Sequence, residues 1–288
     1  VAVGAMAWLP LLLWNLHNAD AGLRFQLVDR HPWQFSGEGF RLGRMQLLLA
    51  TPLLLAAMSV AAWRGLRDAR PGVRYLALSG AMIVLGFLAL GFFADRERAS
   101  FHWPLPGYIA LLPLVPALLA GWPRGWRIAT WAVAAIGLAT VLAFYVAASV
   151  PSLRAQSASR NFHPTNFAGW DVLAAAVDEK LSAMPPGTRL LAGNFKIGAE
   201  LGFARGDADI AVLDHPLNHK HGRAPQLALW GLAHASRDSL GDVPLLLVAS
   251  SNDVDFRDLL AHYHRLCEQV GPLPPPQVLN IDHGRQRF

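Results

Sequence analysis

The sequence predicts a polytopic α-helical membrane region of about five spans, the first truncated, followed by a small α/β soluble domain. Three observations predict it. Apolar stretches near the length of a bilayer crossing recur through the first half. Only 16% of the 288 residues are charged, against about a quarter in ordinary soluble domains. The charge is also unevenly divided: residues 1–149 carry twelve Arg, no Lys and six acids, whereas 150–288 carry thirteen basic residues and fourteen acids. The organisation that follows is a membrane part, 1–150, and an α/β part, 151–288.

The apolar stretches are 1–14, about 45–63 (MQLLLATPLLLAAMSVAAW), about 75–93, about 105–122 and about 126–150. Crossing about 30 Å of hydrocarbon takes about 20 helical residues, so the first is short. With no basic n-region and no cleavage site it does not read as a signal peptide. The expectation is a chain that begins inside a span, the C-terminal part of a longer protein. Pro106, Pro113 and Pro116 fall within the fourth stretch, where neighbouring helices and water can satisfy freed carbonyls. Trp14, Trp63, Tyr75, Trp103, Trp122 and Trp126 lie near span ends, where an interfacial aromatic belt belongs.

The loops set the expected orientation. Segment 64–74 holds four Arg and one acid, and 123–127 holds two Arg and no acid. Loop 15–44 spreads four Arg over thirty residues with three acids, and 94–104 balances two Arg with two acids. Dense basic loops stay in the cytoplasm, so 15–44, 94–104 and everything after residue 150 are expected outside. The last domain is therefore expected on the extracytoplasmic side. A pI near 9.9 raises nucleic acid as a partner, but no basic stripe of the kind such binding needs is present. The single Cys267 makes no internal disulfide.

The second half alternates helical and strand-like patterns. Residues 169–184 have apolar positions at helical spacing, closed by Pro185-Pro186-Gly187. Strands are expected at 189–192, 210–213, 244–249 and 278–281, and helices at 196–203 and 254–267, the last capped by Asn252 or Asp253. There is no GxGxxG, Walker A loop or HExxH. His215, His219 and His221 lack accompanying ligands and read as a solvated loop; His262 and His264 sit two apart on a helix, face different directions and read as surface residues.

Candidate chemistry lies in the outer loops. Segment 94–108 places Asp95, Arg96, Glu97, Arg98 and His102 at the membrane surface. These charges admit two readings: structural ion pairs, or guanidinium groups facing a lipid phosphate, whose geometry Arg matches bidentately. Loop 15–44 is longer than a simple connection needs. Its Phe25, Trp33, Phe35 and Phe40 suit the interface, with Arg24 and Arg30 at headgroup level. An amphipathic segment resting on the bilayer and a ligand-contacting loop both fit that pattern.

Several of these segments resemble family 39 bacterial glycosyltransferases. LPLLLWNLHNADAGLRFQ (9–26) resembles their P-x-x-x-W-N…F-Q stretch, and GRMQLLLATPL (43–53) the start of their next span, with Pro52 as its internal proline. FHWPLPGYIALLPLVPAL (101–118) is similar to their HWP-x-x-x-Y segment, GNFKIGAELGFARG (193–206) to ADxYxxAAELAFY, and NHKHGRAPQLALW (218–230) to N…R…QxxxW. The chain departs from the pattern at Phe195 and Ala204, where Tyr is common, and in its His-rich 215–221 stretch.

The resemblance implies a GT-C enzyme similar to protein O-mannosyltransferases and lipid A aminoarabinose transferases. It moves a sugar from a polyprenyl-phosphate carrier to an extracytoplasmic acceptor, and many members use a divalent metal. The family's acidic catalytic motif lies in an earlier outer loop, so no acid here inherits its role. Arg96, Arg98 and His102 become candidates to face the carrier phosphate, with Arg24 and Arg30 beside them. Two other classes remain open: a transporter, against which the nearly uncharged span interiors count, and a membrane-anchored sensor whose outer domain binds a ligand.

Overall fold

The computed structural model of the chain describes residues 2–18, 21–29, 33–94, 100–160, 162–163 and 168–288. They are mostly helical with a small sheet region, and the chain divides into two compact units, Val1–Phe144 and Tyr145–Phe288.

Two helices are long and apolar enough to cross a membrane, Pro71–Phe93 and Arg124–Ser149. A bent pair counts as a third when taken as one span. Only 17% and 6% of the apolar windows of the two long helices are buried against protein. Side chains such as Met82, Leu85, Trp131, Ile136, Leu138 and Leu142 are exposed, at a cost in water of about 25 cal/mol per Å². That cost vanishes in hydrocarbon, so these surfaces associate with a membrane.

The single span expected at about 45–63 is instead two helices, Glu38–Leu49 and Pro52–Gly65, set at 104° to one another. Pro52 supplies the reason. It has no N–H to continue the ladder, and its ring excludes helical geometry at the preceding residue. Thr51 accordingly adopts φ 60 and ψ 148, and its hydroxyl accepts from Leu54 N at 3.4 Å. Prolines also segment the first and fourth apolar stretches. Helices Ala2–Met6 and Leu9–His17 stand where the first was expected, with Pro10 opening the second of them. The fourth is Leu105–Leu111, a 3-10 turn at Leu112–Leu114, and Val115–Ala120.

The first unit packs through small residues. Ala57, Met58, Ala61 and Ala62 meet Tyr108, Leu111, Val115 and Leu119 in its core. Gly80 and Gly107 face each other so closely that a Cβ on either would lie 2.9 or 2.8 Å from the other's carbonyl oxygen. Close approach through small residues is how helices associate in lipid, where apolar burial supplies no drive.

The second unit is built on a parallel four-stranded sheet: β1 (Arg189–Ala192), β2 (Ala211–Leu213), β3 (Ala233–His234) and β4 (Leu245–Val248), in the order β3-β2-β1-β4. Successive residues point to opposite faces, and both faces are covered. Leu190, Ala192 and Val212 pack with Leu173, Val177, Ile197 and Leu201 from helices Trp170–Ser182 and Phe195–Arg205. Leu191, Ala211 and Leu213 pack with Leu240, Leu266 and Val270. Two-sided burial is why these strands read as apolar runs rather than alternations. Gly198 brings its helix onto the sheet, since a Cβ there would stand 2.7 Å from Val212 Cγ2.

Several elements depart from expectation. The last helix begins at Leu259, not near 254; Asn252 and Asp253 lie in a short 3-10 turn, Ser251–Asp253, with side chains engaged sideways. The last strand is the two-residue β5 (Asn280–Ile281), antiparallel to β6 (Gln286–Arg287) in a separate hairpin. β3 had no sequence signal, because two residues carry no period.

Candidate functional site

The segments that carry the candidate residues of the first unit are drawn together by hydrogen bonds and ring contacts. Ser36 N donates to Phe92 O at 2.8 Å, and Ser36 Oγ donates to Ala94 O at 3.0 Å. Phe35 stacks on Phe92 with centroids 5.5 Å apart, Phe40 meets the same ring edge-on at 5.0 Å, and Trp33 lies 6.5 Å from Phe93. Gly39 makes this possible, since its missing side chain would overlap the Phe92 ring. Trp33, Phe35, Phe40, Phe93 and Phe101 remain exposed, forming an aromatic surface of the type that suits a bilayer interface.

Two buried amides brace segments of the first unit. Asn15, 1% exposed, donates to Leu11 O at 2.9 Å and accepts from Leu23 N at 2.8 Å, fastening the short helix Ala21–Arg24 to the helix before it. Gln46, 2% exposed, donates to Phe101 O at 3.0 Å and accepts from the Tyr108 hydroxyl at 3.0 Å. Asn15, Gln46 and Tyr108 all lie in the motifs singled out by resemblance. In this fold they are bracing residues, with hydrogen bonds that satisfy polar groups otherwise costly to bury.

His102 is exposed in the turn before Leu105–Leu111; its Nδ1 is 2.9 Å from Ser100 Oγ, and its ring meets Phe101 edge-on at 5.7 Å. Arg24 is exposed at the end of Ala21–Arg24. Arg30, Arg96 and Arg98 lie outside the described residues, as do Asp95 and Glu97. On the opposite flank of the spans, Arg70 makes a bidentate pair with Asp68 at 3.0 and 2.8 Å, which holds that carboxyl at about 2, and Arg67 sits 3.6 Å over the Trp63 ring. One of the four Arg of that loop is therefore neutralised locally.

No family model, curated protein or solved structure matches this chain. Among the described residues, no group of three or more His, Cys, Asp or Glu is placed to hold a metal ion.

In the second unit, polar groups gather at the carboxyl ends of the strands, which is where open parallel sheets bind ligands. The strand order reverses direction between β1 and β4. There Asn194, 2% exposed, caps helix Phe195–Arg205 by accepting from Lys196 N at 2.9 Å, and it donates to Asp253 at 2.6 Å. Asn218 accepts from Phe195 N at 2.9 Å and donates to Leu213 O at 2.9 Å. The first amides of that helix are thus occupied from within the chain. His215, expected in a loop, caps the short helix Pro216–Lys220 by accepting from Leu217 N at 3.1 Å.

His262 is buried, not on the surface as expected. It shares the inward stripe of helix Leu259–Val270 with Leu266 and Val270, at four-residue spacing, while His264 is exposed. Its ring meets His215 edge-on at 6.1 Å. Burial pushes both imidazoles below their ordinary range, with the Arg265 charge acting in the same direction and Asp253 opposing it.

Proposed function

We propose that this chain belongs to a membrane glycosyltransferase of GT-C type, which moves a sugar from a polyprenyl-phosphate carrier to an extracytoplasmic acceptor. The observation that carries this reading is the convergence of the 33–40 and 92–94 segments into one exposed aromatic surface. A polyprenyl chain lies in hydrocarbon and its phosphate at the interface. Recognising such a donor takes apolar and aromatic area next to cations, and the sequence places Arg24, Arg30, Arg96, Arg98 and His102 in these same loops.

In this reading there are five crossings. The 2–17 segment, the bent pair, Pro71–Phe93, the shorter apolar helix Leu105–Ala120 and Arg124–Ser149 each cross once. Residues after 150 then form a periplasmic domain on the inner membrane. The acceptor oxygen or nitrogen attacks the anomeric carbon, the carbon–oxygen bond to phosphate breaks, and the polyprenyl phosphate departs with the bond electrons. Arg96, Arg98 and His102 stabilise the charge on that leaving phosphate, while a general base takes the acceptor's proton.

The test is sugar transfer from a polyprenyl-phosphate donor by the full-length enzyme. Arg98→Ala is expected to lower turnover by one to two orders of magnitude, roughly the worth of one charge-assisted contact. Unchanged donor affinity and turnover in Arg98→Ala and His102→Ala together would refute the assignment.

A further inference from the structure

The switch-point crevice between β1 and β4 is filled by the chain's own Asn194, Asn218 and Asp253, but the segment that leaves β4 opens onto a second space. Ser251 and Asn252 line a cleft of about 670 Å³, well inside the range of small-molecule sites, about 300–1,000 Å³. Its other walls are the helix Pro151–Ser157 with the turn after it, and the β5–β6 hairpin. Gln156 and Ser159 line the first wall; His283, Arg285 and Arg287 line the second. Asp255 is the acid on the rim, and it is paired with Arg257 at 3.3 Å.

The hairpin is held in an unusual conformation. Asp282 and His283 both adopt left-handed backbone angles, φ 49 and 54, before Gly284 at φ 81. Two consecutive non-glycine residues there are strained, and such strain persists only where surrounding structure over-determines it. The restraints are specific. The Asp282 carboxylate pairs with Arg154 at 2.6 Å, with both side chains largely buried. Arg285 donates to His163 O, and Asn252 accepts from Arg287 N at 2.7 Å while donating to Arg285 O at 3.2 Å. These contacts fix the main chain of the hairpin; Arg287 Nε donates to Gly284 O at 3.0 Å, and the rest of that exposed side chain stands at the cleft. Phe256, 83% exposed, presents a bare ring on the same cleft.

The geometry points to a binding site for a sugar or polyol phosphate: the Arg287 guanidinium for the phosphate, amide and hydroxyl groups for the hydroxyls, and the Phe256 ring for the apolar face of the carbon skeleton. The same chemistry belongs to a soluble sugar phosphate and to a glycerol-phosphate lipid headgroup. The cleft is formed by residues 145–288 alone, so its occupancy does not depend on transfer chemistry.

The experiment is calorimetric titration of the full chain in phosphatidylcholine nanodiscs with glucose 1-phosphate and, separately, inorganic phosphate. Both bind saturably, glucose 1-phosphate more tightly. Arg287→Ala weakens both by about tenfold or more, the loss of one charge-assisted contact. Phe256→Ala weakens glucose 1-phosphate and spares inorganic phosphate, which a merely cationic surface would not do. Gln156→Ala, an exposed position, gives a second, smaller loss for glucose 1-phosphate should Arg287→Ala fail to fold. With phosphatidylglycerol in the discs, suppressed glucose 1-phosphate binding assigns the site to a lipid headgroup, and undiminished binding assigns it to a soluble ligand. Absence of saturable binding in phosphatidylcholine discs, or equal affinities in wild type and Arg287→Ala, overturns the site.

Discussion

The two units of this chain differ in what they leave outside. In 1–144 the interior mixes Ala57, Ala61, Ala62, Ala77 and Gly80 with Met58, Leu111, Val115 and Leu119, while Leu48, Trp63, Met82 and Leu85 stand outside. In 145–288 the interior is Leu173, Leu191, Ile197, Leu201 and Leu213. The difference teaches how the surroundings of a surface change what packing requires. In water, large aliphatic side chains go inside because burying each contributes about 1.5–3 kcal/mol. In lipid that gain disappears, and helices instead meet where small residues let their backbones approach.

The sharpest way to break this comparison is to exchange the small contacts of the first unit. Gly80→Leu or Gly107→Leu drives a side chain into a facing carbonyl, and backbone cannot yield as a side chain does. A loss of about 3 kcal/mol or more is expected, read as aggregation of the purified protein in detergent. Gly86→Leu, with nothing within 4 Å of its built Cβ, should behave as wild type. Equal damage from both would remove the small-residue account.

Next in size is a matched pair of truncations. Leu191→Ala, fully buried between two layers, should cost about 2–5 kcal/mol in denaturant unfolding. Leu85→Ala, 65% exposed on Pro71–Phe93, should cost under about 0.5 kcal/mol in a bilayer. A large penalty at Leu85 would mean that this face is covered by protein rather than lipid. Smaller again is Tyr108→Phe, which leaves Gln46 Oε1 without its donor. A loss of about 1 kcal/mol is expected, with the thermal midpoint as readout.

The smallest effect is on pH. His215 and His262 have folded-state values below their ordinary 6.5, so the unfolded chain binds protons more tightly. Their contribution is fully present above 6.5 and is lost as pH falls through the folded values. Stability of the second unit should therefore decline on acidification from neutral pH, and His262→Gln should flatten that decline. An unchanged pH profile in the variant would place the acid sensitivity elsewhere.

Strand β1 at Arg189–Ala192 and the span at Arg124–Ser149 were legible to within a residue or two. Their signals are local: the short apolar run Leu190–Ala192 after a Pro-Pro-Gly turn, and a long apolar helix flanked by Arg and Trp. The helix start at Leu259 was not, because Asn252 and Asp253 look like caps while their side chains bond to the β5–β6 hairpin and to Asn194, far away in sequence. The site divides the same way. The two loops that supply Arg24 and His102 could be named from composition, but the Phe35–Phe92 stack and the Gln46–Tyr108 bond join residues 57 and 62 apart, and no local pattern announces either.

By itself the sequence determined which stretches prefer hydrocarbon and that the second half would alternate strand and helix. These follow from side-chain transfer free energy and backbone sterics, which act within a few residues. Only the tertiary structure decided that His262 faces inward, that Gly80 meets Gly107, and that His283, Arg285 and Arg287 share a cleft with Phe256. Each depends on two distant segments arriving at one place, and the free energy that brings them together belongs to the packed whole.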